Sequence, residues 1–238
     1  MKPPSSAAGS VVEWEKACPH EVLSRLTMEQ NKVRSMTAVF SISLDPPPKG
    51  RPSHLNGIIF FDRRHDGPVV RIKGLGLFGY LLFDLVQEKD SIKIYIPSRN
   101  TLFRGKINNG KETGYILGDM TSLMFIDFSK AYVKDGATLS YKNDMVILPL
   151  ATGELMLGRK DALLREWHRG KQVVLYDRYE QKKGEPPIPT LISVITDGGA
   201  QRAVCSLSQV CLNYSMENVF DLSVYKARFV KDLSDLDI

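Results

Sequence analysis

The stretch GLGLFG at residues 74–79 places glycines at 74, 76 and 79 in the spacing G-x-G-x-x-G. In a dinucleotide-binding fold that spacing lets a pyrophosphate approach the backbone at the start of a helix. The chemistry needs a strand running in, a helix running out, and an acidic residue about 20 positions on to hold the ribose. Val69, Val70 and Ile72 supply the strand. The exit supplies no helix. In YLLFDLVQEKD, Tyr80, Leu82, Asp84 and Val86 alternate with Leu81, Phe83 and Leu85, and no capping residue opens the segment. Around the position of the acid the chain reads IYIPSRN, with Pro97 and Arg99. The glycines therefore read as a sharp reversal between two strands. Leu75, Leu77 and Phe78 then form an unusually apolar hairpin tip, where turn chemistry alone is satisfied by Asn, Asp or Ser.

Other reactive side chains do not assemble into a motif. His20, His54, His65 and His168 are far apart, and neither H-E-x-x-H nor Cys-x-x-Cys completes a zinc site. No G-x-S-x-G elbow marks a nucleophile. His65, in DRRHDGP between Asp62 and Asp66, reads as part of a solvated turn, and His168 beside Trp167 as a packed or interfacial residue. Cys18, Cys205 and Cys211 make no disulfide framework. If Cys205 and Cys211 share a strand they stand about 20 Å apart, beyond bridging reach. Arg63-Arg64 and Lys182-Lys183 are isolated basic pairs, and Tyr176 and Tyr179 alternate with acids as well as bases, so no nucleic-acid footprint forms. The expectation is a protein without catalytic residues, metal or cofactor, and without a nucleic-acid partner.

The elements that must position the tip follow from periodicity. Pro19 to Met36 reads as an amphipathic helix, with Val22, Leu26, Val33 and Met36 on its apolar side. The period then becomes two: in TAVFSISLD, Ala38, Phe40, Ile42 and Leu44 share a face. DPPPKGRP stops that strand. Further strands are expected at 55–63, 68–76, 79–88, 91–97 and 101–107. Their short connections make neighbours antiparallel, because a parallel crossover needs a dozen or more residues. KETGYILGDMTSLMFIDFSKA, 111–131, reads as inserted helix. Strand-like text returns in TLSYKNDMVILPL, LLREWHRGKQVVLYDRYE, TLISVITDGG, AQRAVCSLSQVCLNYSM and NVFDLSVY, with Asp197-Gly198-Gly199 as a hairpin signal.

Composition is compatible with one large β architecture. The chain has 238 residues, 43% of them hydrophobic, and a net charge of +5 in which 32 basic residues are interspersed with 27 acidic ones. Its longest apolar run, Leu77 to Phe83, is far shorter than the roughly 18 residues of a membrane-spanning helix. Residues 1–18, rich in Pro, Ser, Ala and Gly, read as a flexible tether, and 19–238 as a single domain.

The helix ending VRSMTAVFSISL, the run RIKGLGLFGYLLFDLVQEKDSIKIYIP, and IPTLISVITDGG followed by a strand ending LNY resemble the lipoprotein carriers LolA and LolB and their outer-membrane lipoprotein relatives. The added NVFDLSVYKARFVKDL is more like LolA. The resemblance spans roughly residues 20–230 and implies a mainly β fold: an incomplete, half-open antiparallel β-barrel with helices covering its concave face. It implies an apolar cavity for acyl chains of lipids or lipoproteins. Phe40, Ile42, Ile59, Phe61, Ile72, Leu82 and Ile94 are its candidate lining. It also implies that Leu75, Leu77 and Phe78 contact a membrane, since a leucine of the corresponding loop in LolB is implicated in delivery. The implied location is the periplasm, tethered to the outer membrane as a lipoprotein, with a membrane surface and another envelope protein as partners. The alternative is a tethered, non-enzymatic interaction or assembly factor with a collapsed cavity.

Overall fold

The computed structural model describes residue 14 and residues 16–45, 54–106, 128, 131–216 and 218–236. Among them one α-helix, α1 (Pro19–Asn31), precedes β1 (Ser35–Asp45), β2 (His54–Arg64), β3 (Gly67–Leu75), β4 (Leu81–Glu88), β5 (Ser91–Ile96) and β6 (Thr101–Lys106). After residues 107–139 come β7 (Ser140–Lys142), β8 (Met145–Leu150), β9 (Gly153–Gly158), β10 (Leu164–Arg169), β11 (Gln172–Glu180), β12 (Ile188–Thr196), β13 (Gln201–Leu212) and β14 (Phe229–Asp232).

These fourteen described strands form one sheet in the order β14-β6-β5-β4-β3-β2-β1-β13-β12-β11-β10-β9-β8-β7. The chain enters at the middle, meanders outward to β6, resumes at the far edge with β7 and meanders back. β13 then pairs antiparallel with β1, placing Phe40 opposite Leu207 and Ile42 opposite Cys205. The protein is mainly β and mostly antiparallel, and the sheet is open, with β14 and β7 at its edges.

Alternation along each strand gives the sheet one apolar face. Met36, Phe40, Ile59, Phe61, Ile72, Leu85, Phe103, Val146, Leu148 and Leu155 belong to a single buried cluster, joined by Val22 and Leu23 of α1. Each large apolar side chain removed from water stabilises the fold by roughly 1.5–3 kcal/mol. Pro19 in the first turn suits the start of α1, and the backbone N–H of Cys18 donates to Glu21 Oε2 at 3.2 Å. Trp14 is buried in the same cluster; its Nε1 donates to the carbonyl of Arg159 at 2.7 Å.

Several sequence expectations are corrected here. The helix ends at Asn31 instead of Met36, because Ser35 and Met36 join the β1–β2 ladder opposite Asp62 and Phe61. GELMLG, not anticipated as a strand, is β9, bounded by Gly153 and Gly158. NVFDLSVY has strand-like alternation, yet its described residues 218–225 form no strand. This segment crosses the outer face of β3–β6, where backbone partners are already taken, and it docks through side chains. Leu222 is buried with Val69, Val86 and Leu102, and the rings of Tyr225 and Tyr95 stack at 4.3 Å. The strap ends in β14, which runs parallel to β6, Phe229 opposite Thr101 and Val230 opposite Leu102. The sheet is therefore not wholly antiparallel. The inserted helix expected at 111–131 and the turn DPPPKGRP lie outside the described residues, apart from residues 128 and 131 and Asp45 at the end of β1.

Candidate functional site

The three-glycine stretch is a β-hairpin reversal. β3 runs into it, Leu77–Gly79 makes a single tight turn, and β4 runs out. Gly79 adopts φ 78°, which glycine tolerates without a Cβ clash, and its N–H donates to the carbonyl of Gly76 at 3.1 Å. Gly74 is needed for a different reason: a Cβ there would lie 2.2 Å from the Phe83 ring. Gly76 seats the Tyr80 ring in the same way, with a Cβ approach of 2.5 Å. No helix follows, so the backbone donors of a dinucleotide site are not assembled.

The turn holds its apolar side chains outward. Leu77 is 77% exposed and Phe78 105% exposed; Leu75 is half-buried. Phe78 adopts φ 61° and ψ 15°, a left-handed conformation that costs a non-glycine residue on the order of 1–3 kcal/mol. The turn therefore sustains both exposed hydrophobic surface and backbone strain. Tyr80 and Leu82, also exposed, enlarge the patch. The period-two text Tyr80, Leu82, Asp84 carried the signal for them.

Six of the seven residues expected to line a cavity come together. Phe40, Ile42, Ile59, Phe61, Ile72 and Ile94 are buried in one cluster on the α1 side of the sheet. Leu82 stands apart at 37% exposure, since alternation sets it with Asp84 and Val86 on the opposite face. A cleft of about 560 Å³ lies elsewhere, where the start of β1 and the end of β2 meet the segment that follows β13. Its walls are Arg34, Ser35, Asp62, Asn213, Tyr214, Ser215 and Met216. Asn213 staples that junction: its Oδ1 accepts from the backbone N–H of Arg34 at 2.7 Å, and its Nδ2 donates to the carbonyl of Lys32 at 2.9 Å. The LNY text thus has a structural use.

On the outer face a buried ion pair anchors the strap. Arg71 Nε donates to Asp84 Oδ1 at 2.7 Å, Arg71 Nη1 donates to the carbonyl of Val219, and Tyr225 Oη donates to Asp84 Oδ2 at 2.7 Å. Burial lowers the affinity of the Arg71 guanidinium for its proton, but Asp84 more than offsets this and raises it above the ordinary value. Burial, then the hydrogen bond to Asp84, pushes the Tyr225 hydroxyl up to about 12. Cys205 and Cys211 both lie on β13 as free thiols; burial pushes Cys205 up to about 12. His168 Nε2 lies 2.8 Å from Glu166 Oε2, and His65 is in an exposed turn. Among the described residues no three His, Cys, Asp or Glu side chains converge as a metal site, and no helix is long and apolar enough to cross a membrane.

No protein-family model and no curated protein sequence matches the chain. Solved structures do. A DUF1329 family protein from Desulfovibrio piger superposes with a TM-score of 0.60 at 11% identity, covering 87% of this chain and 98% of that one. A putative outer membrane lipoprotein-sorting protein domain from Vibrio parahaemolyticus gives 0.57 at 10% identity, with 87% and 99% covered. A LolA superfamily protein from Nitrosomonas europaea gives 0.56 at 10% identity, again with 87% and 99% covered. The fold is LolA-like. Nearly the whole length of each of these chains is matched, so the LolA-like fold accounts for the body of the sheet and not for a fragment of it. At this identity the likeness is one of fold, and the chemistry of the LolA-like chain must come from its own residues.

Proposed function

We propose that this protein is a cell-envelope carrier that holds acyl chains of lipids or lipoproteins against the apolar face of a half-open barrel and transfers them at a membrane. The observation that carries the proposal is the glycine-built tip, whose Leu77 and Phe78 are held in water by a strained turn on a LolA-like fold. Burying both side chains in lipid gains roughly 3–6 kcal/mol. In this reading Leu75, Leu77 and Phe78 contact the membrane, helices cover the concave face, and Phe40, Ile42, Ile59, Phe61, Ile72 and Ile94 meet the cargo. Each methylene of that cargo contributes about 0.8 kcal/mol on leaving water. No bond is made or broken, and no cofactor takes part. The location that suits such a carrier is the periplasm, tethered at the outer membrane, with another envelope protein as donor or acceptor.

A second reading has its own support. The six apolar residues pack into the core, and the described cleft is walled largely by polar residues. Both features favour an envelope interaction or assembly factor with a collapsed cavity. Denaturing extraction of the purified protein, with mass spectrometry of what is released, separates the two. Recovered lipid supports the carrier, and none supports the assembly factor. The tip is tested by Leu77→Glu with Phe78→Glu. Stability should stay within about 1 kcal/mol of the parent, as for other surface changes, while vesicle association falls. Unfolding of the variant, or unchanged association, overturns the role of the tip.

A further inference from the structure

The tip does not stand alone on its rim. Ladder pairings place Asp84 opposite Tyr95, Tyr95 opposite Leu102, and Leu102 opposite Val230. β14 therefore begins at the same end of the sheet as the β3–β4 turn. Three strand spacings separate β14 from β4, about 15 Å across the sheet. At that end Phe229 and Val230 are 49% and 59% exposed, a second apolar pair that flanks an edge strand with one side chain on each face of the sheet. Between the two apolar patches lies the turn Pro97–Arg99, which packs beside β4. The backbone N–H of Arg228 donates to the carbonyl of Asn100 at 3.1 Å, tying the start of β14 to that turn. Arg99, Lys226 and Arg228 are all exposed here, and the Arg228 guanidinium lies 5.2 Å from the Phe229 ring centroid. Among the described residues the exposed acids of the strap are Asp221 and, at the far end of β14 from the rim, Asp232; Ser223 chiefly holds the Asp221 carboxyl below its ordinary value, with smaller contributions from Lys93 and Arg71, and Ser234 does the same for Asp232. Farther along the rim, Asp45 stands opposite Arg202 in the β1–β13 ladder.

We infer that this rim is a two-patch docking surface for anionic phospholipid: Leu77 and Phe78 enter at one point, Phe229 and Val230 rest at a second, and Arg99, Lys226 and Arg228 face the headgroups between them. The inference rests on the proposed membrane role of the tip and extends it by naming the lipid class and the second contact. Charge complementarity carries it. Apolar tips alone partition into any bilayer, whereas interleaved cations add affinity only where the surface is negative. Each basic side chain is worth on the order of five-fold in partition near such a surface, so three together should supply on the order of one hundred-fold at low salt. Screening should erase most of that gain at high salt.

The experiment compares vesicles of phosphatidylcholine alone with vesicles that also contain phosphatidylglycerol, measuring the ratio of the two affinities at low and high salt. The full chain should bind the anionic vesicles at least about ten-fold more tightly at low salt. R99Q/K226Q/R228Q should collapse the ratio toward one, F229S/V230S should weaken binding to both vesicles, and L77E/F78E should weaken both further. A ratio near one in the parent overturns the rim inference; if L77E/F78E still lowers binding, the tip reading survives. Unchanged binding in L77E/F78E overturns the tip reading and the shared surface with it. Melting curves of each variant show that a loss of binding is not a loss of fold.

Discussion

At Phe78 the backbone and the side chain pull in opposite directions. Its φ of 61° belongs to the left-handed region, where glycine rests more easily, and its ring is wholly exposed. Neither feature stabilises the folded chain, which is the pattern expected where strain is kept for use. Phe78→Gly should therefore leave thermal stability unchanged or raise it by up to about 1 kcal/mol, since relief of strain is offset by the greater freedom of glycine in the unfolded chain. Vesicle association should fall in the same variant. Calorimetry and flotation on one preparation check both. A variant that loses stability and keeps its membrane affinity would show that the ring packs in solution and does not serve contact.

The carboxyl-terminal strap is the element that most distinguishes this chain's outer face. It closes Val69, Val86 and Leu102 from water, stacks Tyr225 on Tyr95, and places the Tyr225 hydroxyl on the buried Asp84. The hydroxyl is raised from its usual 10 to about 12, so in the window between those values the folded form keeps its proton and the unfolded form has lost it. Its contribution is full below pH 10 and disappears as pH rises toward about 12. Unfolding by denaturant across this window should show stability falling with pH. Tyr225→Phe should be less stable by about 1–3 kcal/mol at neutral pH, having lost a hydrogen bond to a charged group, and should fall less steeply above pH 10. Cys205, raised by burial to about 12, supplies part of the slope that remains. An equally steep fall in the variant would remove Tyr225 from the account.

For the whole molecule the question is whether the apolar face of the sheet opens. Phe40, Ile59, Phe61 and Ile72 are each 1% exposed, so an acyl chain must displace packed side chains to reach them. Phe61→Ala should cost about 3–5 kcal/mol, the transfer and cavity terms together. If the face takes cargo, a long-chain fatty acid at one hundred times its dissociation constant should return about 2.7 kcal/mol to parent and variant alike, read as a rise in melting temperature. No rise in either protein would favour the packed interaction factor.

Local pattern determined much of this protein. The alternation in TAVFSISLD and YLLFDL marked β1 and β4, the run GIIFF, apolar on both faces, marked β2, and the glycine spacing with a period-two exit marked a hairpin tip in place of a cofactor loop. Leu77 and Phe78 could be singled out because turn chemistry gave no reason for them. The same alternation misled at NVFDLSVY and left the face of Leu82 ambiguous. Periodicity reports which residues share a side, and it does not report which distant segment covers that side. Only the tertiary structure decided that β14 runs parallel to β6, that Tyr225 reaches Asp84 across 141 positions, and that Trp14 is buried beneath the carbonyl of Arg159. It also placed Phe229 and Val230 on the rim of the tip, because that neighbourhood is set by strand order, and strand order is fixed by long-range ladder pairing that no single segment encodes.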